Sequence, residues 1–184
     1  MNFTAVVAEV LSIVKRQDKI LDIRREVNAA VSFYCQDADF KRDLEEVAFA
    51  IDPQEYTANI PYSSLTRFRK FRYIKQGRCY LNEIMTSRIQ DCGSLANTYY
   101  MAGSGIRYSL SALSATLDLA YFQYPPVLTD AAPTFWLLDL NPYMVIDRAA
   151  GKIFVNIGDD KSARDHESAA NVSYLGWRQD HMSN

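Results

Sequence analysis

The sequence predicts an α+β protein: a helical bundle formed by both chain ends, with an inserted antiparallel β module. Three observations carry this. Apolar residues recur at helical spacing near the start of the 184-residue chain and again near its end. Between those regions, short segments alternate apolar and polar residues and are punctuated by Gly and Pro. The two helical stripes are each broad and have no partner of their own, so the simplest way to bury them is against each other.

In chain order, residues 3–16 carry Phe3, Val7, Val10, Leu11 and Val14 on a short helix. The polar stretch RQDK ends it, and Asp18 is placed to cap a second helix. That second helix is better defined. Ile20, Ile23, Val27, Ala30, Val31 and Tyr34 form one stripe, while Asp22, Arg24, Arg25 and Glu26 face mostly away.

Beyond residue 38 the helical stripe is lost. EEVAFAI favours a strand and Asp52-Pro53 a turn. YTANIP and FRKFRYIK read as two further strands. YYMAGSGIRYSL has the pattern of a hairpin, with Gly-Ser-Gly at its turn. TLDLAYFQY is apolar on both faces from Ala120 onward, which predicts a central strand. Pro125-Pro126 then stops it, because neither residue donates a ladder hydrogen bond.

Helical sequence returns at Asn141-Pro142, an N-cap followed by a favoured first helical residue. Tyr143, Val145, Ile146, Ala149, Ala150, Ile153, Phe154 and Ile157 give a wide apolar face, and Gly158 closes it. Asp159 or Asp160 caps a more polar last helix, with Gly176 as its stop and a short tail beyond. One chain with three regions is therefore expected: N-terminal helices over 1–38, the β module over 39–126, and C-terminal helices and tail over 127–184.

Composition narrows the function. A net charge of −2 argues against a protein that coats nucleic acid through bulk charge. The apolar start is interrupted by Glu9 and has no basic residue before it, so a signal peptide is not expected. No run approaches the roughly 20 apolar residues of a membrane span. Cys35, Cys79 and Cys92 are scattered, which points to reduced thiols and away from a zinc site.

The search for chemistry finds little. His166 and His181 stand alone in a polar region and read as solvated surface residues. The Gly-Ser-Gly at 103–105 lacks the spacing of a nucleophile elbow. There is no P-loop and no dinucleotide-binding glycine pattern. Asp159-Asp160 reads as a cap and Glu45-Glu46 as solvated charge. No catalytic residue, cofactor or metal ligand is assigned, and no enzyme activity is expected.

One charged segment stands out. RFRKFRYIKQGR at 67–78 holds Arg67, Arg69, Lys70, Arg72, Lys75 and Arg78 with no acid, interleaved with Phe68, Phe71 and Tyr73. This composition suits a single-strand or RNA-binding surface. It also suits a strand edge that repels unwanted neighbours. Strict alternation divides these charges between both faces, and pairing with the acidic stretch 37–55 neutralises them.

The order of these parts resembles the head-to-tail adaptor (connector) proteins of tailed bacteriophages. The likeness lies in FYCQDADFKRDLEEVAF, in the hairpin YYMAGSGIRYSL, in LAYFQYPPVLTD and in WLLDLNPYMVIDRAAGKIFVNIGDDKSA. It implies a virion protein at the head-tail junction, assembled in the host cytoplasm. It implies a ring of identical subunits, usually twelve, bound to the portal protein on one side and to a tail or nozzle protein on the other. DNA passes through such a ring, and neither cofactor nor membrane is involved. Arg67, Arg69 and Arg72 are then expected at a subunit interface or along the channel. Tyr174, Leu175 and Trp177, on an extended tail, are expected to dock on the portal. The other readings are a different tail-completion protein and a small nucleic-acid-binding module built on 67–78.

Overall fold

The computed structural model describes residues 1–85 and 95–181. Cys92 lies outside the described residues. The fold is mixed α+β, with five α-helices and two largely antiparallel sheets among the described residues. The chain divides into two compact units. One comprises Met1–Asp43 with Tyr124–Asn184, and the other Leu44–Gln123.

The first unit is helical. Helix α1 (Phe3–Val14) begins at Asn2, whose side chain accepts from the Ala5 N–H, and ends at Lys15 in the left-handed conformation. Helix α2 (Ile20–Asp37) starts without a side-chain cap. Asp18 is instead held by Arg16, whose Nε and Nη2 both donate to it at 2.9 Å. Helix α3 (Trp136–Leu140) is short, and α4 (Pro142–Ile157) comes next with Pro142 at its first turn.

Asn141 does not cap α4; its Nδ2 donates to Ser173 Oγ at 3.2 Å on the last helix. Gly158, at φ 79°, closes α4 as expected of a left-handed C-terminal residue. Helix α5 (Asp160–His181) is capped by Asp159, which accepts from both the N–H and the hydroxyl of Ser162.

The apolar stripes of α1, α2 and α4 share one core. Val6, Val10, Ile23, Val27, Val31, Val145, Ala149 and Ile153 are all essentially inaccessible to solvent, and Phe154 is buried beside them. The small residues of α4 let α5 come close. A Cβ on Gly151 would meet the Ala163 carbonyl oxygen at 3.3 Å.

The link after Pro125-Pro126 is fastened to α2. Leu128 is buried, and the Asn28 side chain brackets its backbone. Asp130 is paired with Arg24 and accepts from the Thr4 hydroxyl. The prolines therefore end a strand and hand the chain to a segment clamped by side chains of α1 and α2.

The second unit is a pair of four-stranded sheets. Strands β1 (Leu44–Ala50), β8 (Thr116–Gln123), β3 (Phe68–Gln76) and β4 (Cys79–Tyr80) form the first, in the order β1-β8-β3-β4. Strands β2 (Thr57–Pro61), β7 (Gly105–Ser109), β6 (Thr98–Ala102) and β5 (Asn82–Glu83) form the second, in the order β2-β7-β6-β5, with β5 parallel to β6. Their facing side chains, including Ile60, Ile74, Tyr99, Ile106, Tyr108, Leu117, Leu119 and Tyr121, make a core separate from that of the helices.

Strand β8 is central, as its two apolar faces require. It lies between β1 and β3, so the acidic strand and the basic strand are not paired with each other. Gly105 sits where β7 passes β2, and a Cβ there would lie 2.4 Å from the Ile60 carbonyl oxygen. Only glycine fits that approach.

Candidate functional site

The basic strand is built on two irregularities. Phe68, Phe71 and Ile74 pair with Gln123, Tyr121 and Leu119, while Lys70, Tyr73 and Lys75 pair with Phe122, Ala120 and Asp118. Register shifts fall between Phe68 and Lys70 and between Phe71 and Tyr73. The residues inserted there are Arg69 and Arg72. Each insertion resets the alternation by one. Three apolar side chains spaced three apart consequently turn to one face and pack on the core of the β unit.

The opposite face receives cations. The Arg69 guanidinium and the Lys70 ammonium lie 5.4 and 5.7 Å from the centre of the buried Phe122 ring. Lys75 lies over Tyr73 and 3.8 Å from Asp118. Tyr73 donates its hydroxyl to Glu46 of β1 at 3.0 Å, across Ala120. Burial first, and then this carboxylate, raise the Tyr73 phenol above its ordinary value. Arg67, at φ 50°, is exposed and donates to the Gln123 side chain at 2.6 Å. Arg72 is also exposed. The expected division of charge between both faces is thus overturned for Arg69, Lys70 and Lys75, because the bulges override strict alternation.

The C-terminal residues take a different arrangement from the expected one. Helix α5 runs through Gly176 without a break, since nothing crowds that position and a helix tolerates glycine at modest cost. Residues 174–181 continue α5 and do not extend away. Tyr174 is buried against Tyr34, with ring centres 4.8 Å apart, and donates its hydroxyl to Asp37 at 2.5 Å. Arg178 reaches the same carboxylate at 3.3 Å. Trp177 is half-buried, 5.1 Å from Phe40 and stacked 5.7 Å from Trp136. Of the three expected portal contacts, Leu175 alone is exposed, at 60%.

The driving force is plain. Tyr174 and Trp177 gain more by joining the aromatic group of Phe40, Trp136 and Tyr34 than by standing in water. Sequence reading missed this group because its members lie far apart in the chain. Trp136 Nε1 donates to the buried Asp43 carboxylate at 2.7 Å. A Trp beside a run that reads as loop was the available signal.

Neither histidine is a solvated surface residue. His166 Nδ1 lies 2.8 Å from Asp147, and its ring stacks on Phe154 at 5.4 Å. His181 stacks on Trp177 at 4.3 Å, and its Nδ1 donates to the Trp177 carbonyl at 3.0 Å. His166 fastens α5 to α4, whereas the His181 contacts lie within α5 itself. Cys35 is buried and Cys79 exposed. A shallow recess of about 230 Å³ lies on the outer face of the first sheet, lined by Glu46, Ala48, Tyr73, Lys75 and Asp118. Among the described residues, no three His, Cys, Asp or Glu side chains are grouped so as to hold a metal. No described helix is long and apolar enough to cross a membrane.

No known family model matches the chain, and no curated protein sequence is significantly similar to it.

Proposed function

We propose that the chain is a virion structural protein: the head-to-tail adaptor of a tailed bacteriophage. In this reading both chain ends form a helical bundle, and residues 44–123 are its inserted β module. Identical subunits, usually twelve in the adaptors it resembles, form a ring between the portal and the tail or nozzle protein. DNA passes through it, and the protein resides in the virion. The carrying observation is that the two ends of the chain share one core while the β unit is continuous between them. That order of parts is the one the resemblance implies.

The portal contact shifts within this proposal. With Tyr174 and Trp177 turned inward, they fix α5 in place, and its outer face, where Val172 and Leu175 are exposed, meets the portal. Arg67, Arg69 and Arg72 belong to a subunit contact or the channel wall.

A nucleic-acid-binding module is the second reading, favoured by the cations gathered over Phe122. Two measurements separate them. The chain should co-sediment with purified portal rings of its own phage. Its binding to short oligonucleotides should be weak, without the steep salt dependence that many phosphate contacts produce. Tight, salt-sensitive oligonucleotide binding without portal binding would favour the module.

A further inference from the structure

We propose that two copies of the free chain pair through strand β1, antiparallel about a two-fold axis at Ala48, so that their first sheets join into one. This goes beyond the adaptor reading and does not rest on it. A two-fold contact cannot repeat around a ring whose members all face one way, so the pairing is separate from the ring contacts.

The edges of the β unit are unequal. Strand β2 is five residues long and ends in Pro61, and β4 and β5 are two residues each. Strand β3 is interrupted twice by bulges bearing arginine. These features resist strand addition. Strand β1 carries none of them. It is seven residues long, keeps a regular register with β8 from Leu44 to Ala50, and contains neither proline nor lysine.

The backbone of β1 is open toward a partner. The Ile51 N–H donates to the Ala115 carbonyl at 3.0 Å, in continuation of the β1–β8 register. By the alternation of an antiparallel ladder, Glu45, Val47 and Phe49 also turn their backbone groups to β8. Glu46, Ala48 and Ala50 then turn theirs to the free edge. All three are exposed, and among the described residues no hydrogen bond reaches those outward groups. The Glu46 carboxylate does not obstruct the edge, because it reaches inward across Ala120 to the Tyr73 hydroxyl.

The side chains identify the occupant as a second β1. With the axis at Ala48, Glu46 lies opposite Ala50 of the second copy, and no glutamate lies opposite a glutamate. On the other face, Val47 lies opposite Phe49 of the second copy. Val47 is 37% exposed, and Phe49 packs only partly on the core of the β unit. Their pairing carries that core across the axis. An axis at Val47 would instead set Phe49 against Glu45.

Substitutions at the axis test this. Ala48→Pro removes an outward N–H and spares the bonds to β8. Ala48→Lys brings two like charges together at the axis. Thr57→Lys, on the β2 edge, is the control. Circular dichroism and thermal melting first establish folding, and sedimentation velocity of the chain alone then measures self-association. Wild type and Thr57→Lys should form dimers. Both Ala48 variants should dimerise about tenfold or more weakly.

A third variant reads the register without weakening the contact. Ala48→Cys, with Cys79→Ser and Cys92→Ser, should link two copies on mild oxidation, because facing residues of a hydrogen-bonded antiparallel pair lie about 5.5 Å apart, within disulfide reach. Glu45→Cys in the same background should not link. A monomeric wild type would overturn the pairing and leave the portal test of the adaptor reading untouched. Dimers that survive both Ala48→Pro and Ala48→Lys would overturn it as well, by placing the contact elsewhere. Linking through Glu45→Cys but not through Ala48→Cys would contradict the axis.

Discussion

Asn28 grips the backbone of Leu128 with both ends of its amide. Its Nδ2 donates to the Leu128 carbonyl at 3.1 Å, and its Oδ1 accepts from the Leu128 N–H at 2.7 Å. The residues lie 100 apart in sequence. The pair ties the chain leaving Pro125-Pro126 to α2, and so joins the two chain ends. Asn28→Ala should destabilise the protein by about 1–3 kcal/mol, because both Leu128 groups lose a partner. Asn28→Asp should also destabilise, as it keeps the acceptor and loses the donor. Chemical denaturation of both variants checks this, and an unchanged midpoint in Asn28→Ala would show that water replaces the clamp.

Phe154 closes the core of the helical unit and stacks on His166. Phe154→Ala should cost about 3–5 kcal/mol by the loss of a large buried ring. A shift in melting temperature of several degrees is the expected readout, and a negligible shift would place Phe154 outside the core.

Gly105 and Gly103 form an internal comparison. A methyl group on Gly105 would collide with the Ile60 backbone, whereas one on Gly103 would meet nothing within 4 Å. Gly105→Ala should destabilise by about 1–3 kcal/mol, and Gly103→Ala should be nearly neutral. Equal effects would mean that β2 and β7 approach less closely than described.

Removing residues 174–184 should unsettle the isolated protein. The deletion takes away the Tyr174 bond to Asp37 and the packing of Trp177 on Phe40 and Trp136. Trp177→Ala alone should cost about 2 kcal/mol, less than a fully buried Trp because the ring is only partly buried. Leu175→Asp should leave stability nearly unchanged and weaken portal binding. A Leu175→Asp variant that binds portal normally would move that contact elsewhere.

High pH should loosen the helical unit. Burial pushes the Tyr34 phenol up to about 12, against an ordinary 10.0, with Arg148 partly opposing. Burial, and then the bond to Asp37, raise Tyr174 as well. Both folded-state values lie above the unfolded ones, so the folded protein holds protons that the unfolded chain releases. The stabilisation is complete below pH 10 and is lost as pH rises from there toward 12. Denaturation midpoints that fall over this window check the prediction, and Tyr34→Phe should reduce the fall. A midpoint flat from 10 to 12 would contradict it.

Much of the architecture was legible because it rests on local rules. Period-3.6 stripes marked α2 and α4, Gly158 marked the end of α4, and Pro125-Pro126 marked the end of β8. What escaped depends on contacts distant in sequence. Asn141 has the chemistry of a cap but spends it on Ser173. Gly176 has the chemistry of a stop, yet α5 continues because Tyr174 and Trp177 are held on its inner face. The bulges at Arg69 and Arg72 could be suspected from apolar residues three apart within a strand, but their register is fixed only by pairing with β8.

The central claim is that this chain forms a ring on a portal. Electron microscopy of the chain mixed with the portal protein of its own phage tests it most directly. The account predicts a closed ring of identical subunits, coaxial with the portal and seated on one of its ends. Portal particles that remain bare at saturating chain, with the chain monomeric beside them, would contradict it.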